Sequence, residues 1–334
     1  MKVVIVNDYI EKYDSSRLII ESLMGIGEEV EIATLYLNEE NLEIPLSLTK
    51  IHSTALSKIF KSAHSIFKWP ILTTQVAKKF KLPEADYYII LSQGFAHYVD
   101  VPENSLIYIY DRPYRTKSFF RKDLDRKYFK SIQGLKGNIY FSTHTLAKEL
   151  GYEKDYQILT RPFASQDFKQ IDNYKTHQKF ILNIDEFSES FHDLVKTLGP
   201  DRELVVITNK ACAKIIKKEY PFLDVLTGVN NYELFVELIK SYIYIDLRNV
   251  FPERVFCSLA TGVPSIVLDT SLNREVFGDG AVKFINSMED LISNFDTLIK
   301  NTIDGETLRR FSLRYNERVF KNKILNTLRR QKDD

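Results

Sequence analysis

Short apolar runs alternate with amphipathic segments along the first half of the chain. Five apolar runs predict buried strands, and they read KVVIV, EVEIATL, DYYIILS, SLIYIYD and NIYFSTH. Between them, apolar residues recur with helical spacing over residues 15–24, 54–81 and 119–132. Strands that alternate with helices predict a parallel sheet covered by helices on both faces.

A second alternation follows a polar stretch near residues 161–178, which we interpret as a linker. Four further apolar runs predict strands, and they read KFILNID, ELVVIT, YIYIDL and PSIVL. The predicted helices cover residues 188–198, 209–219, 231–240 and 252–261, and a charged helix covers about 306–330.

This pattern predicts two α/β domains, each with a doubly wound sheet. The first covers residues 1–165 and the second residues 175–305, and a helical segment over 306–334 packs back on the first domain. Two such domains in tandem leave a cleft between them. Ligands of doubly wound sheets bind outside the carboxyl ends of the strands, so we expect functional residues in the loops that follow the strands.

Composition narrows the class of protein. The 334 residues have 44% hydrophobic content and a net charge of +1, which suits a soluble two-domain protein and not a polyanion binder by bulk charge. The two cysteines lack metal-ligand spacing, so we expect core residues in a reducing cytoplasm. The N-terminus predicts a strand and not a signal peptide, and no stretch approaches the ~18 apolar residues that span a membrane.

Several motifs are absent from the sequence, and each absence argues against one class of enzyme. The first βα loop has no G-x-G-x-x-G, and no G-x-x-x-x-G-K-[ST] occurs, which argues against dinucleotide dehydrogenases and P-loop nucleotidases. No H-E-x-x-H or Cys/His cluster suggests a metal site, and no G-x-S-x-G suggests a hydrolase. We therefore expect neither a cofactor nor a metal.

The segment NVFPERVFCSLATGVPSIVL, residues 249–268, predicts a loop, a helix, a glycine turn and a buried strand. Pro252 is expected at the first helical position, where its missing N–H costs nothing. Free N–H groups and the positive dipole end would then suit a diphosphate. Arg254 adds a forked cation in the first turn, and Arg248 precedes the loop. The alternative is that Glu253 and Arg254 are simply solvated first-turn residues.

Residues 249–295 resemble the donor-binding half of GT-B glycosyltransferases of family 4, the "glycosyl transferases group 1" type. The V-x-P-x-R-x-F start resembles the spore-maturation, CgeB-like branch. The turn Thr261-Gly262-Val263-Pro264 matches the family, and Glu275 lies in the stretch that matches its following loop. The resemblance implies a GT-B fold, with two Rossmann-like domains facing a cleft. It also implies metal-independent sugar transfer from a nucleotide-sugar, with retention of configuration.

The sequence departs from this family at the carboxylates of its Glu-x7-Glu motif. Asn249 stands where the family has the Glu that contacts the donor sugar, and Cys257 where it has the Glu that contacts the ribose. An amide still hydrogen-bonds a sugar hydroxyl, but a thiol is a poor acceptor. The family's Gly-rich first loop and an Arg/Lys pair are also missing. The predicted donor site therefore consists of the loop residues Val250 and Phe251, the cations Arg254, Arg248 and Lys210, and Asn249, Cys257 and Glu275.

Catalytic candidates in the first domain follow its predicted strands. Asp111 comes after SLIYIY, where it would orient or deprotonate an acceptor hydroxyl, and Arg112 and Arg115 follow it on the acceptor side. A turn cap before Pro113 is the alternative for Asp111. His97 and Asp8 have similar positions after DYYIILS and after the first strand.

Residues 50–82 contain seven lysines and no acidic residue. This basic stretch suits an anionic, lipid-linked acceptor with peripheral contact to the inner membrane face, although it also suits nucleic acid. An ordinary core-facing helix with a solvated lysine face is the plainer alternative. Three functions stay open: a glycosyltransferase acting on a glycan or lipid-linked acceptor, a non-catalytic GT-B subunit that binds a glycan or partner protein, and a phage-type enzyme that glycosylates DNA bases.

Overall fold

The chain forms two α/β units, each with its own parallel sheet. The computed structural model describes residues 1–11, 15–38, 46–102, 105–112, 121–168, 179–199, 201–300 and 303–333. Unit 1 comprises Met1–Pro162 and Glu317–Asp334, and unit 2 comprises Phe163–Asn316.

Unit 1 contains a seven-stranded sheet. Its strands are β1 (Lys2–Ile10), β2 (Glu29–Leu37), β3 (Ile51–Ser53), β4 (Tyr87–Ser92), β5 (Leu106–Ile109), β6 (Asn138–Phe141) and β7 (Gln157–Ile158). All pairs are parallel, in the order β3-β2-β1-β4-β5-β6-β7. The chain runs outward from β1 to β3 and then returns to β4 beside β1. The point where the strand order reverses therefore lies between β1 and β4, the usual place for a ligand crevice.

Both faces of this sheet are buried by helices. The helices before the linker are α1 (Ser15–Leu23), α2 (Leu56–Ile59), α3 (His64–Lys68), α4 (Pro70–Lys79), α5 (Arg121–Gln133) and α6 (His144–Glu149). Along β1, Val3 and Ile5 belong to one core cluster and Val4 and Val6 to the other. Successive side chains of a strand point to opposite faces, so a run of apolar residues is what a doubly covered strand requires.

The stretch with helical spacing over residues 54–81 is helical but interrupted, because the chain forms three separate helices there, α2, α3 and α4. Pro70 begins α4 and restricts the residue before it, and Trp69 adopts φ −119° and ψ 57°, outside the helical region. The break also changes what is buried. Ile66 and Phe67 are in the core as the spacing predicts, but Ile59 is 58% exposed.

Unit 2 contains a six-stranded parallel sheet. Its strands are β8 (Lys179–Asn183), β9 (Glu203–Ile207), β10 (Asp224–Leu226), β11 (Ile243–Asp246), β12 (Ser265–Leu268) and β13 (Lys283–Ile285). The order is β10-β9-β8-β11-β12-β13, so the strand order reverses between β8 and β11. Its helices are α7 (Ser190–Leu198), α8 (Lys210–Glu219), α9 (Asn231–Leu238), α10 (Glu253–Ala260), α11 (Ser271–Phe277), α12 (Met288–Lys300) and α13 (Gly305–Ser312). Both doubly wound sheets are as the sequence predicts.

The charged C-terminal segment, which is predicted to be helical, forms two helices. In unit 2, α13 packs against α10, and Gly262 allows this close approach. Gly262 has φ +73°, and a Cβ there would lie 3.2 Å from the Gly305 carbonyl oxygen. The second helix, α14 (Glu317–Asp333), packs on α1 in unit 1. Its buried residues are Phe320, Ile324 and Leu328, which repeat every four positions and so form one apolar face.

Candidate functional site

The loop part of the predicted donor site, residues 248–251, lies at the carboxyl edge of the unit 2 sheet, between β11 and α10. Asn249 and Val250 are exposed in this loop, and Phe251 is half-buried with its ring 6.2 Å from that of Phe256. Pro252 directly precedes the helix, which begins at Glu253, so the prediction is off by one residue. The loop therefore presents an amide and an apolar side chain to solvent at this edge.

The N-terminus of α10 has fewer free N–H groups than the sequence suggests. Glu253 donates its backbone N–H to the Phe251 carbonyl at 3.0 Å, and Val255 donates to the Pro252 carbonyl at 3.1 Å. Within the described part of the chain, the backbone N–H of Arg254 has no partner in this first turn. Among these described residues, one open backbone donor, and not a row of them, therefore accompanies the positive end of the helix dipole.

Arg254 is half-buried in the first turn of α10. Its Nη2 donates to the Val229 carbonyl oxygen at 3.4 Å, in the loop that joins β10 to α9. This contact uses one of the five N–H donors of the guanidinium group. A carbonyl partner does not neutralise the charge, so Arg254 provides an anchored cation beside the loop that contains Asn249 and Val250.

Arg248, in contrast, is already neutralised by Asp246. Its Nε and Nη2 donate to the two carboxylate oxygens at 2.9 and 2.8 Å, and both side chains are largely buried. The Asp246 carboxylate also accepts from the Asn183 amide at 3.2 Å and from the Tyr244 hydroxyl at 3.3 Å. Burial raises the pKa of that hydroxyl, which keeps it protonated as a donor.

This cluster of Asn183, Tyr244, Asp246 and Arg248 was not predicted. It lies at the carboxyl ends of β8 and β11, where the strand order of unit 2 reverses. A signal was present in the sequence, because Asn183 and Asp246 are each the last residue of an apolar strand. The pairing itself depends on two strands that are about sixty residues apart in the sequence lying side by side.

The remaining donor candidates are separated by the fold. Cys257 is 2% exposed inside α10, and burial raises the pKa of its thiol, so it presents no acceptor to a ribose. Lys210 is exposed as the first residue of α8, after Asn209 caps that helix. Glu275 is half-buried on α11, so the expectation of a loop at this stretch is wrong.

The sequence predicts Asp8 after the first strand of unit 1, but Asp8 lies inside β1. Its buried carboxylate accepts four backbone N–H bonds, from Gln93 at 2.5 Å, Gly94 at 3.0 Å, and Phe95 and Ala96 at 2.6 Å each. Burial raises the pKa of this carboxyl, and the four N–H donors oppose that effect. The side chain therefore holds the turn that follows β4, at the point where the strand order reverses.

His97 lies in that same turn and is 8% exposed. Its Nδ1 and Nε2 atoms lie 2.8 and 2.9 Å from the hydroxyl oxygens of Ser92 and Ser131. Burial lowers the pKa of His97 to about 3, so the imidazole is neutral near pH 7. Both ring nitrogens have protein partners, an arrangement typical of a structural histidine.

The buried neutral state of His97 makes stability depend on pH. In the unfolded chain the imidazole binds a proton below pH ~6.5, whereas the folded protein binds it only near pH 3. The stability from this group is therefore complete above pH ~6.5 and is lost as the pH falls from there towards 3, by about 2 kcal/mol at pH 5. We expect the difference in unfolding free energy between wild type and His97→Gln to shrink by that amount between pH 8 and pH 5 in urea titrations. Parallel pH profiles of the two proteins would contradict the assignment.

Asp111 follows the end of β5 and is half-exposed. Its carboxylate accepts from the buried Arg161 guanidinium at 3.0 Å and from the backbone N–H of Arg112 at 2.7 Å. The Arg112 side chain forms an ion pair with Glu149. Arg115 lies outside the described residues. The structure therefore places Asp8, His97 and Asp111 at the carboxyl edge of three neighbouring strands, but only Asp111 has an accessible side chain.

Neither a metal centre nor a membrane-spanning helix is found in the described residues. Across the described ranges, no three His, Cys, Asp or Glu side chains lie close enough together to hold a metal ion. No helix in the described part of the chain has the length and apolar content needed to cross a membrane.

Comparison with solved structures identifies the fold. Sucrose-phosphate synthase from Thermosynechococcus elongatus is 8% identical with a TM-score of 0.72, and the alignment covers 98% of both chains. HepE from Anabaena, in complex with UDP and glucose, is 9% identical with a TM-score of 0.66, covering 98% of this chain and 99% of that one. WaaG, a glycosyltransferase of lipopolysaccharide biosynthesis, is 12% identical with a TM-score of 0.67, over 98% and 99%.

The chain has the GT-B fold of these glycosyltransferases, and the predicted fold class is confirmed. At identities of 8–12% the similarity establishes the fold alone. No family model matches the sequence, and no curated protein does either.

Proposed function

We propose that this protein is a glycosyltransferase that binds a nucleotide-sugar at the carboxyl edge of unit 2. The observation that carries the proposal is the half-buried Arg254, anchored to the Val229 carbonyl at the first turn of α10. The fold adds support, since it is shared with the HepE structure that contains UDP and glucose. The resemblance of residues 249–295 to the CgeB-like branch points to the same class of donor.

Each donor-site residue has a role that follows from its chemistry. The Arg254 guanidinium and the positive end of α10 would bind the diphosphate and stabilise it as the leaving group. Lys210 would add a second, more mobile cation from the start of α8. The exposed Asn249 amide would hydrogen-bond a sugar hydroxyl, and Val250 would pack against the sugar or the base. We propose that these cations replace a metal ion and that the configuration of the sugar is retained.

The acceptor would be bound by unit 1, where Asp111 is the accessible candidate. Its carboxylate is held by Arg161, so it is fixed in position while it is partly exposed to solvent. An oriented carboxylate of this kind positions an acceptor hydroxyl or takes up its proton. A glycan or an anionic, lipid-linked acceptor fits this site, with Arg112 nearby on the acceptor side.

The decisive measurement is nucleotide affinity, by calorimetry with UDP, GDP, ADP and CMP. A charge-assisted hydrogen bond contributes about 1.5–3 kcal/mol, so we expect Arg254→Ala to weaken binding of the preferred diphosphate about 10- to 150-fold. Arg254→Lys should recover part of the loss, because it restores the charge without the fork. Arg310→Ala is the matched control, since that arginine is 77% exposed on α13. Unchanged affinity in a folded Arg254→Ala protein would reject the site.

A second candidate function, a non-catalytic subunit, is supported by the residues that replace the family's two carboxylates. Cys257 is buried and Asn249 carries no charge, which favours a non-catalytic GT-B subunit that binds a glycan or partner protein. Release of nucleoside diphosphate from the preferred nucleotide-sugar, followed with a coupled assay, separates the two. Turnover that Arg254→Ala abolishes supports the enzyme, whereas nucleotide binding without turnover across acceptors supports the subunit.

A further inference from the structure

A group of large apolar side chains is exposed at the start of α4 in unit 1. Trp69 is 61% exposed, Ile71 64% and Leu72 36%. They lie within four consecutive residues, so exposed apolar side chains are concentrated at the start of this helix. Exposed apolar residues that are concentrated in this way, and not scattered singly, are typical of a surface that contacts a partner or a membrane. Ile59, at the end of α2, is a further exposed apolar residue of the same segment.

The same segment carries only positive charge. Residues 50–82 include seven lysines and no acid. Lys50 pairs with Glu31 at 3.0 Å. The other six, Lys58, Lys61, Lys68, Lys78, Lys79 and Lys81, form no ion pair with any described residue. Because their charge is not neutralised within this part of the protein, the segment attracts an anionic surface.

A groove of about 550 Å³ connects the apolar and the charged features. Its walls include Leu72, Val76 and Phe80, and Lys79 and Lys81 also line it. Leu72, Val76 and Lys79 repeat at intervals of three or four residues, so they share one face of α4. The groove therefore combines an apolar floor with two ammonium groups, a combination that matches an anionic headgroup and the first carbons of its acyl chains.

We propose that unit 1 docks on an anionic phospholipid membrane through this α4 surface, formed by Trp69, Ile71, Leu72, Lys79 and Lys81. Tryptophan and aliphatic side chains enter the headgroup boundary, while lysines extend towards the lipid phosphates. Nucleic acid would use the lysines but leave Ile71 and Leu72 in water, so charge and apolar exposure together favour a lipid. The proposal concerns a surface of unit 1 and does not depend on the donor site in unit 2.

Trp69 is the single tryptophan of the chain, so the protein carries its own probe at this surface. The unlabelled protein is titrated with phosphatidylcholine vesicles and with vesicles that also contain phosphatidylglycerol. We expect sedimentation with the anionic vesicles only, together with a blue shift of the Trp69 emission. Binding should weaken at high salt, because part of it is electrostatic.

Two double variants test whether the surface is correctly placed. Each lysine near an anionic membrane contributes a factor of about 5, so Lys79→Gln/Lys81→Gln should weaken vesicle binding roughly 30-fold. Ile71→Ser/Leu72→Ser should reduce binding and leave the salt dependence in place. Lys217→Gln/Lys218→Gln is the matched control, since these exposed lysines on α8 lose the same charge. Circular dichroism confirms that each variant is folded.

Several outcomes would overturn the proposal. The first is absence of binding to anionic vesicles at low salt, and the second is equal binding to neutral vesicles. Binding without a change in Trp69 emission, or an equal loss in the α8 control, would place the contact elsewhere. Tight, strongly salt-dependent binding to duplex DNA with no vesicle binding would assign the surface to nucleic acid.

Discussion

Replacing Asp8 with Asn should lower the free energy of unfolding by about 4 kcal/mol. The carboxylate accepts four backbone N–H bonds at the point where the strand order of unit 1 reverses. An asparagine keeps one acceptor oxygen and places an NH2 group against the other two donors. Each buried donor left without a partner costs about 1–3 kcal/mol, and two are affected.

Urea unfolding measures this loss, and Asp86→Asn is its control. Asp86 accepts a single backbone N–H, from Lys2 at 2.7 Å, and is exposed, so its replacement should cost less than about 1 kcal/mol. The result also decides the role of Asp8. A catalytic acid or base would lose activity on substitution while the protein kept its stability. If Asp8→Asn unfolds at the same urea concentration as wild type but transfers no sugar, the structural role is wrong.

Replacing Asp246 with Asn should cost about 3 kcal/mol of stability. Arg248 is 15% exposed and both of its carboxylate contacts come from Asp246, so the substitution leaves a largely buried guanidinium without its paired carboxylate. Loss of one partner of a buried ion pair typically costs about 3–5 kcal/mol. Asp269→Asn is the control, because Arg274 there is more exposed and pairs with Asp279 as well.

A double variant separates the charge from the packing. Asp246→Asn/Arg248→Met removes the buried cation as well, so it should regain a substantial part of the stability lost in Asp246→Asn. A double variant that is less stable than either single variant would contradict this account. Nucleotide affinity adds a second readout. If Asp246 competed with the proposed diphosphate for Arg248, Asp246→Asn would increase the nucleotide affinity. We expect no increase.

The architecture was largely predictable because it depends on local pattern. Each parallel strand covered on both faces needs an apolar run, and each covering helix needs an apolar stripe, so alternation along the chain predicts two doubly wound sheets. Short edge strands such as β3 and β7 escaped prediction, since a strand of two or three residues leaves too little pattern. The helical stretch predicted over residues 54–81 is divided into three helices because Pro70 and the extended residue Phe60 interrupt a spacing that otherwise suits a helix.

The candidate site was only partly predictable. The loop with Asn249 and the first turn with Arg254 were found, because a proline, an arginine and a glycine turn are local signals. Arg248 was assigned to the same site, but its guanidinium is bound by Asp246, two residues earlier. The sequence places Asp8 and His97 after strands, but Asp8 lies inside β1 and both side chains are buried. Their burial depends on the turn after β4, which sequence spacing does not show.

Apolar periodicity predicts the α/β class and the two sheets, and helix-start residues predict an arginine in the first turn of α10, whereas the GT-B class rests on the family resemblance. Which polar groups are already satisfied depends on the tertiary structure. Asp8 meets backbone donors some 85 residues away, and Asp246 meets Asn183 across two neighbouring strands. Such partners are brought together by strand order. Each hydrogen bond of this kind occupies a donor or acceptor that appears available from the sequence alone. The candidate residues that stay at least partly exposed are Asn249 and Arg254 in unit 2 and Asp111 in unit 1.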